Sequence, residues 1–318
     1  MHIRAVPTFG FLVFCLTLGF DAKMGSAQNS LIQDGDRVVF IGDSNTYAGQ
    51  FVADLDAMLT VAGKNVEIIN VGLPSETCCG LSEPDHPFPR PTVQERLDRV
   101  LAKMKPDVVV ACYGMNDGIY HPFSEQRFKK YQSGILELVT KVKKSGARVI
   151  IMTPPPFDSL PMAKKKKLAQ KNSKQFAWFL IYEDYDSVLE KYSNWVMKLG
   201  MKVDAVIDQR TPVLKHLSTQ RKENPDFTMS GDGVHFNADC HRILAQSIGK
   251  KLFPNDQLEI AAPVTLLAQR KMLILRDAWL TETGHKRPGV KKGLPLAEAE
   301  QKVKEIDARM KLAAARNQ

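Results

Sequence analysis

Arg37-Val38-Val39-Phe40-Ile41-Gly42-Asp43-Ser44-Asn45-Thr46-Tyr47 decides how the rest of the chain is read. Val38 to Ile41 is a short run of β-branched and aromatic residues, which reads as a buried strand. Gly42 breaks it. Asp43, Ser44 and Asn45 are helix-starting types, because their side chains accept from the free N–H groups of a first turn. A serine at such a junction sits where backbone donors point outward. That placement suits a nucleophile whose reaction creates an oxyanion. A helix cap alone would also explain Ser44, so its partners must be sought downstream.

Downstream, strand-like and helix-like patterns alternate. Tyr47 to Ala62 patterns a helix with Phe51, Leu55, Met58, Leu59 and Ala62 on one face, ended by Gly63. Strands are expected over 66–71, 107–113, 148–152 and 203–207. Helices are expected around 93–101 and over 128–142, 188–199 and 238–252, the last capped by Asn237. Residues 157–185, with a lysine run and then Phe176 to Tyr182, read as an insertion, and 217–228 reads as a loop. Five strands separated by helices imply right-handed crossovers and a parallel α/β sheet with helices on both faces. In such sheets the loops after the strands' carboxyl ends form the site. Ser44, Gly72, Asn116 and the Asp232–His235 pair all fall on that edge.

Composition bounds the rest. The chain has 318 residues and a formal net charge of +9. Its lysines cluster in local runs such as 164–167, without interleaved aromatics, so solvated surface rather than nucleic-acid binding is expected. Residues 1–27 read as a cleavable signal peptide: Arg4 supplies a positive start, 9–20 an apolar stretch, and Gly25-Ser26-Ala27 a small-residue cleavage site. A secreted or periplasmic protein follows. No later run could span a membrane. Cys78, Cys79, Cys112 and Cys240 then remain. They form no CxxC metal motif, and a bridge from the Cys78–Cys79 pair to Cys112 is conceivable. The organisation expected is a catalytic domain over 28–256 and a helical extension over 257–318. That extension holds helices over 266–280 and 297–315, the second with a seam of Val303, Ile306, Met310 and Ala313. It is expected to pack back on the domain, with self-association as the other use of that seam. The basic stretch Gly284 to Pro288 reads as a connector that could also meet an anionic glycan or a second subunit.

Acyl transfer by serine needs a nucleophile, a base, a group orienting the base, and oxyanion donors. Ser44 is the nucleophile candidate and His235 the base. Asp232, three residues before His235, can reach the imidazole in a compact turn. The N–H groups of Ser44 and Gly72 and the Asn116 amide are candidate oxyanion donors. Gly72 would be glycine so that substrate can approach its N–H. Asp43 and Asp117 are read as loop supports. His86, His121, His216, His241 and His285 are read as surface or loop residues.

The blocks Gly42-Asp43-Ser44, Gly72, Gly114-Met115-Asn116-Asp117 and Asp232-Gly233-Val234-His235 resemble, in order and placement, those of the SGNH or GDSL-type hydrolases. The resemblance covers roughly residues 36–253. It implies a three-layer α/β/α flavodoxin-like fold and ester hydrolysis with no cofactor or metal. It also implies that Ser44 is the nucleophile, that Gly72 and Asn116 are oxyanion donors, and that Asp232 and His235 complete a triad. Asn45 departs from it, because many members carry Leu or Ile there; this leaves subfamily and substrate open. The leading expectation for substrate is an acetylated glycan, with Tyr113, Tyr120, Phe157, Trp178 and Phe179 as rings for stacking on sugars. The alternative is a lipid-directed esterase with 176–182 as an acyl wall. A glycan- or protein-binding module on an inactive hydrolase is the reading from another class, and the intact set of site residues argues against it.

Overall fold

Alternating side chains of short apolar strands fill two cores at once. Val39, Ile41, Val109, Ala111, Val149 and Ile151 face one layer. Val38, Phe40, Val108, Val110, Ile150 and Met152 face the other. A strand buried on both faces has no polar side to show, which is why these segments read as continuous apolar runs. The computed structural model describes residues 1–2 and 31–316. The signal peptide expected over 1–27 therefore falls outside the described residues, apart from its first two.

In chain order the first half is β1 (Arg37–Gly42), α1 (Ser44–Ala48), α2 (Gln50–Val61), β2 (Glu67–Asn70), α3 (Leu97–Met104), β3 (Val108–Cys112), α4 (Glu125–Lys144) and β4 (Arg148–Met152). Then come α5 (Ser159–Lys164), β5 (Leu168–Ala169), β6 (Ile181–Tyr182), α6 (Tyr185–Val196), β7 (Ala205–Ile207), α7 (Arg210–Gln220) and α8 (Ala238–Leu252). The extension holds α9 (Ala262–Thr283) and α10 (Leu296–Ala315). The main sheet is parallel, in the order β2-β1-β3-β4-β7. Its register pairs Val38 with Ile68 and with Val108. Helices α3, α4 and α6 cover one face, and α2, α7 and α8 the other. This is the five-stranded three-layer α/β/α arrangement expected.

Local departures from these expectations have physical reasons. The first helix starts at Ser44, not Tyr47, and is interrupted at Gly49, whose φ of 70° is left-handed. A helix, α7, replaces most of the first half of the loop expected over 217–228 and begins earlier; Pro212 lies in its first turn, where a missing N–H does no harm. The insertion is not structureless, because β5 and β6 pair in parallel as a separate two-stranded sheet. No bridge joins the cysteines: all four are free thiols. Cys78 packs in one core layer and Cys112 in the other, with the sheet between them. His241 is also not a surface residue. It is buried against Phe51, and burial pushes its pKa down to about 4.

The extension belongs to the same compact unit as the sheet, Leu31–Gln318. Val264, Ala268 and Met272 of α9 and Met310 and Ala314 of α10 pack on Ala53 and Ala57 of α2. Lys271 is buried between two carboxylates, 3.0 Å from Asp56 and 2.8 Å from Asp307. The apolar seam of α10 is thus spent on packing back.

Candidate active site

Three loops leave the carboxyl ends of β1, β2 and β3 and meet, at one edge, the turn between α7 and α8 that carries Asp232 and His235. Ser44 is the first residue of α1, and Asp43 is its cap, accepting from the Asn45 N–H at 3.0 Å. The residue in the cap position is therefore Asp43, which leaves the Ser44 side chain free for other partners. Asp43 is fully buried, with one carboxylate oxygen lacking a partner among the described residues. Burial pushes its pKa up to about 7, against the opposing pull of the Asn45 N–H and of His235.

Asp232 does two jobs with its two oxygens. Oδ1 accepts from the backbone N–H groups of Val234 (2.9 Å) and His235 (2.8 Å), which closes the turn. Oδ2 lies 2.7 Å from His235 Nδ1. His235 Nε2 lies 2.9 Å from Ser44 Oγ. With Nδ1–H donated to the carboxylate, Nε2 presents its lone pair to the serine hydroxyl. Burial works against charge on Asp232, but the hydrogen bonds from His235 outweigh it and hold the carboxyl well below its usual range. The same bond raises the His235 pKa above its ordinary 6.5. Gly233, inside this turn, has φ of 79°, and a Cβ there would strike the Asp158 carbonyl at 2.2 Å.

Asn116 is oriented by its neighbours. Its Oδ1 accepts from the Tyr120 hydroxyl at 2.9 Å, and its Nδ2 donates to the Glu76 carbonyl at 3.1 Å. One amide hydrogen is left over, beside Ser44 in the same cavity. Asp117 is buried and accepts from the N–H groups of Cys78 (2.8 Å) and Cys79 (2.9 Å), so it ties the β3 loop to the β2 loop.

Gly72 sits differently from expectation. Its N–H donates to Asn70 Oδ1 at 2.8 Å, and a Cβ would meet the Tyr47 nitrogen at 2.4 Å. It is glycine because α1 packs against it, and it does not line the cavity. Ser75, three residues on, does. Pro74 and Ser75 form the corner of a turn closed by Glu76 N–H to the Leu73 carbonyl (3.2 Å), and Ser75 has φ of 66°. Pro followed by a positive-φ residue is the type II pattern, whose third residue turns its N–H away from the closing bond. Glycine is the usual occupant of that position; serine there obscured the signal.

Three further supports were not read as such in the sequence. Asn45 is buried and clamps the His235 turn: Nδ2 donates to the Val234 carbonyl at 3.0 Å, and Oδ1 accepts from the Phe236 N–H at 3.2 Å. Asp158, in the insertion, takes both Arg221 (2.8 and 2.7 Å) and the Thr228 hydroxyl (2.7 Å), and its N–H donates to the Gly233 carbonyl. Two buried arginine–glutamate pairs, Arg90–Glu83 and Arg96–Glu76, pin the long β2 loop, each by two parallel bonds of 2.6 and 2.7 Å.

The cavity beside Ser44 holds about 250 Å³. Of the rings expected at its rim, Tyr120 and Trp178 line it, whereas Tyr113 and Phe157 are core. His86, read as a surface or loop residue, lies in the β2 loop and also lines it. A larger hollow of about 1000 Å³ opens at the amino ends of β3 and β4, between Lys105, Asp107 and Arg148, far along the sheet from every group described above. Among the described residues, no three His, Cys, Asp or Glu side chains could together hold a metal ion. No helix among them is long and apolar enough to cross a membrane.

Residues 40–243 match the model of the GDSL-like lipase/acylhydrolase family. A variant of Axe2, an acetyl-xylooligosaccharide esterase from Geobacillus stearothermophilus, superposes with a TM-score of 0.52 at 18% identity, over 72% of this chain and 99% of that one. The acetyl xylan esterase AlAXEase gives 0.50 at 22% identity, over 68% and 98%. Curated protein sequences give no match. The family match spans the strands, the serine loop and the histidine turn together, and so the chain belongs to the GDSL-like lipase/acylhydrolase family and is a carboxylic ester hydrolase.

Proposed function

We propose that the protein is an exported serine esterase that removes acetyl groups from carbohydrate through a Ser44–His235–Asp232 triad. The observation that carries the reading is the line of contacts from Asp232 Oδ2 to His235 Nδ1 and from His235 Nε2 to Ser44 Oγ. Ser44 Oγ attacks the ester carbonyl carbon while its proton passes to Nε2. The tetrahedral oxyanion is met by the Ser44 N–H, the Ser75 N–H in place of Gly72, and the spare Asn116 N–H. Collapse breaks the bond to the sugar oxygen, which takes the proton from Nε2 and leaves as a hydroxyl. Water then attacks the acetyl-enzyme with His235 again as base, releasing acetate and restoring Ser44.

Size and lining support a short acyl group. A cavity near 250 Å³ lies at or below the small end of ligand pockets. Of the segment 176–182 invoked by the lipid reading, Phe176, Ala177, Ile181 and Tyr182 are buried in the fold and Trp178 alone lines the cavity, which leaves little acyl wall there. Trp178 is 50% exposed and offers a face to a sugar ring. The two neighbours described as acetylxylan esterases point the same way. A series of p-nitrophenyl esters tests it. The expected kcat/KM falls by about tenfold or more from acetate to octanoate, as added methylenes exceed the cavity. A preference for octanoate would overturn the acetyl reading.

A further inference from the structure

The C-terminal extension reaches the active-site cavity. Arg287, between α9 and α10, lines it together with Ser44, His86 and Trp178. Its guanidinium lies over the Phe88 ring, 4.8 Å from the centroid. Nε donates to the Pro74 carbonyl at 3.4 Å, and Nη1 donates to the Pro288 carbonyl. Both acceptors are neutral, and no carboxylate pairs with Arg287 among the described residues. Pro74 is the residue before Ser75, so this contact fixes the cation beside the proposed oxyanion donors.

The charges around it make the contrast. Arg90 lines the same cavity but is neutralised by Glu83 through two short bonds. Asp232 is occupied by His235. No aspartate or glutamate lines the cavity. His86 donates Nδ1–H to the Phe88 carbonyl at 2.5 Å, and burial together with the Arg90 charge pushes its pKa below the ordinary 6.5 and so disfavours charge on it. Its other nitrogen can hydrogen-bond but adds no charge. A half-buried cation with spare N–H groups, in a cavity without a counter-ion, is built to receive an anion from the ligand.

We propose that Arg287 is the anion-recognising residue of this cavity, and that the substrate is an ester of an acidic sugar whose carboxylate pairs with it. The proposal rests on the esterase reading and names its substrate class. It also gives the extension a role in the site: the segment that carries Arg287 is held in place by α9 and α10.

Acetate release from acetylated galacturonate oligomers and from acetylated xylo-oligosaccharides of the same length, at low salt, tests it. The wild type is expected to favour the acidic substrate in kcat/KM by about tenfold or more, the scale of a charge-assisted contact. Arg287→Gln is expected to bring that ratio close to one, mainly through KM on the acidic substrate. Arg287→Lys should keep an intermediate ratio, and added salt should shrink the wild-type ratio. A wild-type ratio at or below one, or an equal loss on both substrates in Arg287→Gln, would overturn the assignment. Acetate release that does not depend on Ser44, on either substrate, would instead overturn the esterase reading beneath it.

Discussion

Asn45 follows Ser44, the proposed nucleophile, and holds the backbone on both sides of His235, the proposed base, through Val234 and Phe236. A leucine there would fill space but leave a buried carbonyl and N–H unpaired. Asn45→Leu is expected to lower kcat by about 10- to 100-fold with KM changed by less than about threefold, because the base is displaced rather than the binding surface. A steady-state comparison checks this; an unchanged kcat would remove the positioning role. The same turn sets the pH dependence. His235 accepts the serine proton only when neutral, and Asp232 raises its pKa above 6.5. Activity should therefore be lost as pH falls, with the acid limb of kcat/KM centred above 6.5. A limb centred below 6 would contradict the Asp232 contact. At this scale the proposed roles of Ser44, Asn116, Asp232 and His235 were legible in the sequence, because that chemistry demands those residue types. Ser75 was not, because a backbone N–H can be offered by any residue but proline. Gly72 attracted the role by being glycine, while α1 packing was the actual reason for it.

Helix α2 carries the lesson for elements. Its pattern read as one apolar face, yet every residue from Phe51 to Leu59 is buried. Phe51 and Leu55 face the sheet side, and Ala53 and Ala57 meet α9 and α10. Small residues on the second face let those helices approach closely, and alanine gives little periodic signal. Asp56 on that face would be costly alone; Lys271, held also by Asp307, compensates it. Lys271→Ala is expected to destabilise the protein by about 3–5 kcal/mol, since it strands a buried carboxylate. Chemical denaturation at pH 7 measures this, and a loss below about 1 kcal/mol would mean that α9 and α10 are held without the ion pair. The strands of the five-stranded sheet and α8 were readable because short β-branched runs and the Asn237 cap are local signals. Helix α7 was not, because only Val213 and Leu217 among its apolar residues are buried.

At the scale of the molecule, one sheet edge gathers residues from 44 to 287. The parallel topology brings the β1 and β3 loops together, and that much follows from the order of strands in the sequence; the turn between α7 and α8 joins them there. The return of the extension to the same edge depends on long-range packing of α9 and α10, which no local pattern encodes. That return turns a basic stretch that read as a connector into part of the cavity wall. The central claim is that Ser44 is the nucleophile at this edge, activated by His235. Treating the folded protein with a fluorophosphonate and locating the adduct by peptide mass spectrometry tests it most directly. A single adduct on Ser44, absent from Ser44→Ala and strongly slowed in His235→Ala, is the result expected. No adduct, or an adduct on any other residue that persists in Ser44→Ala, would contradict it.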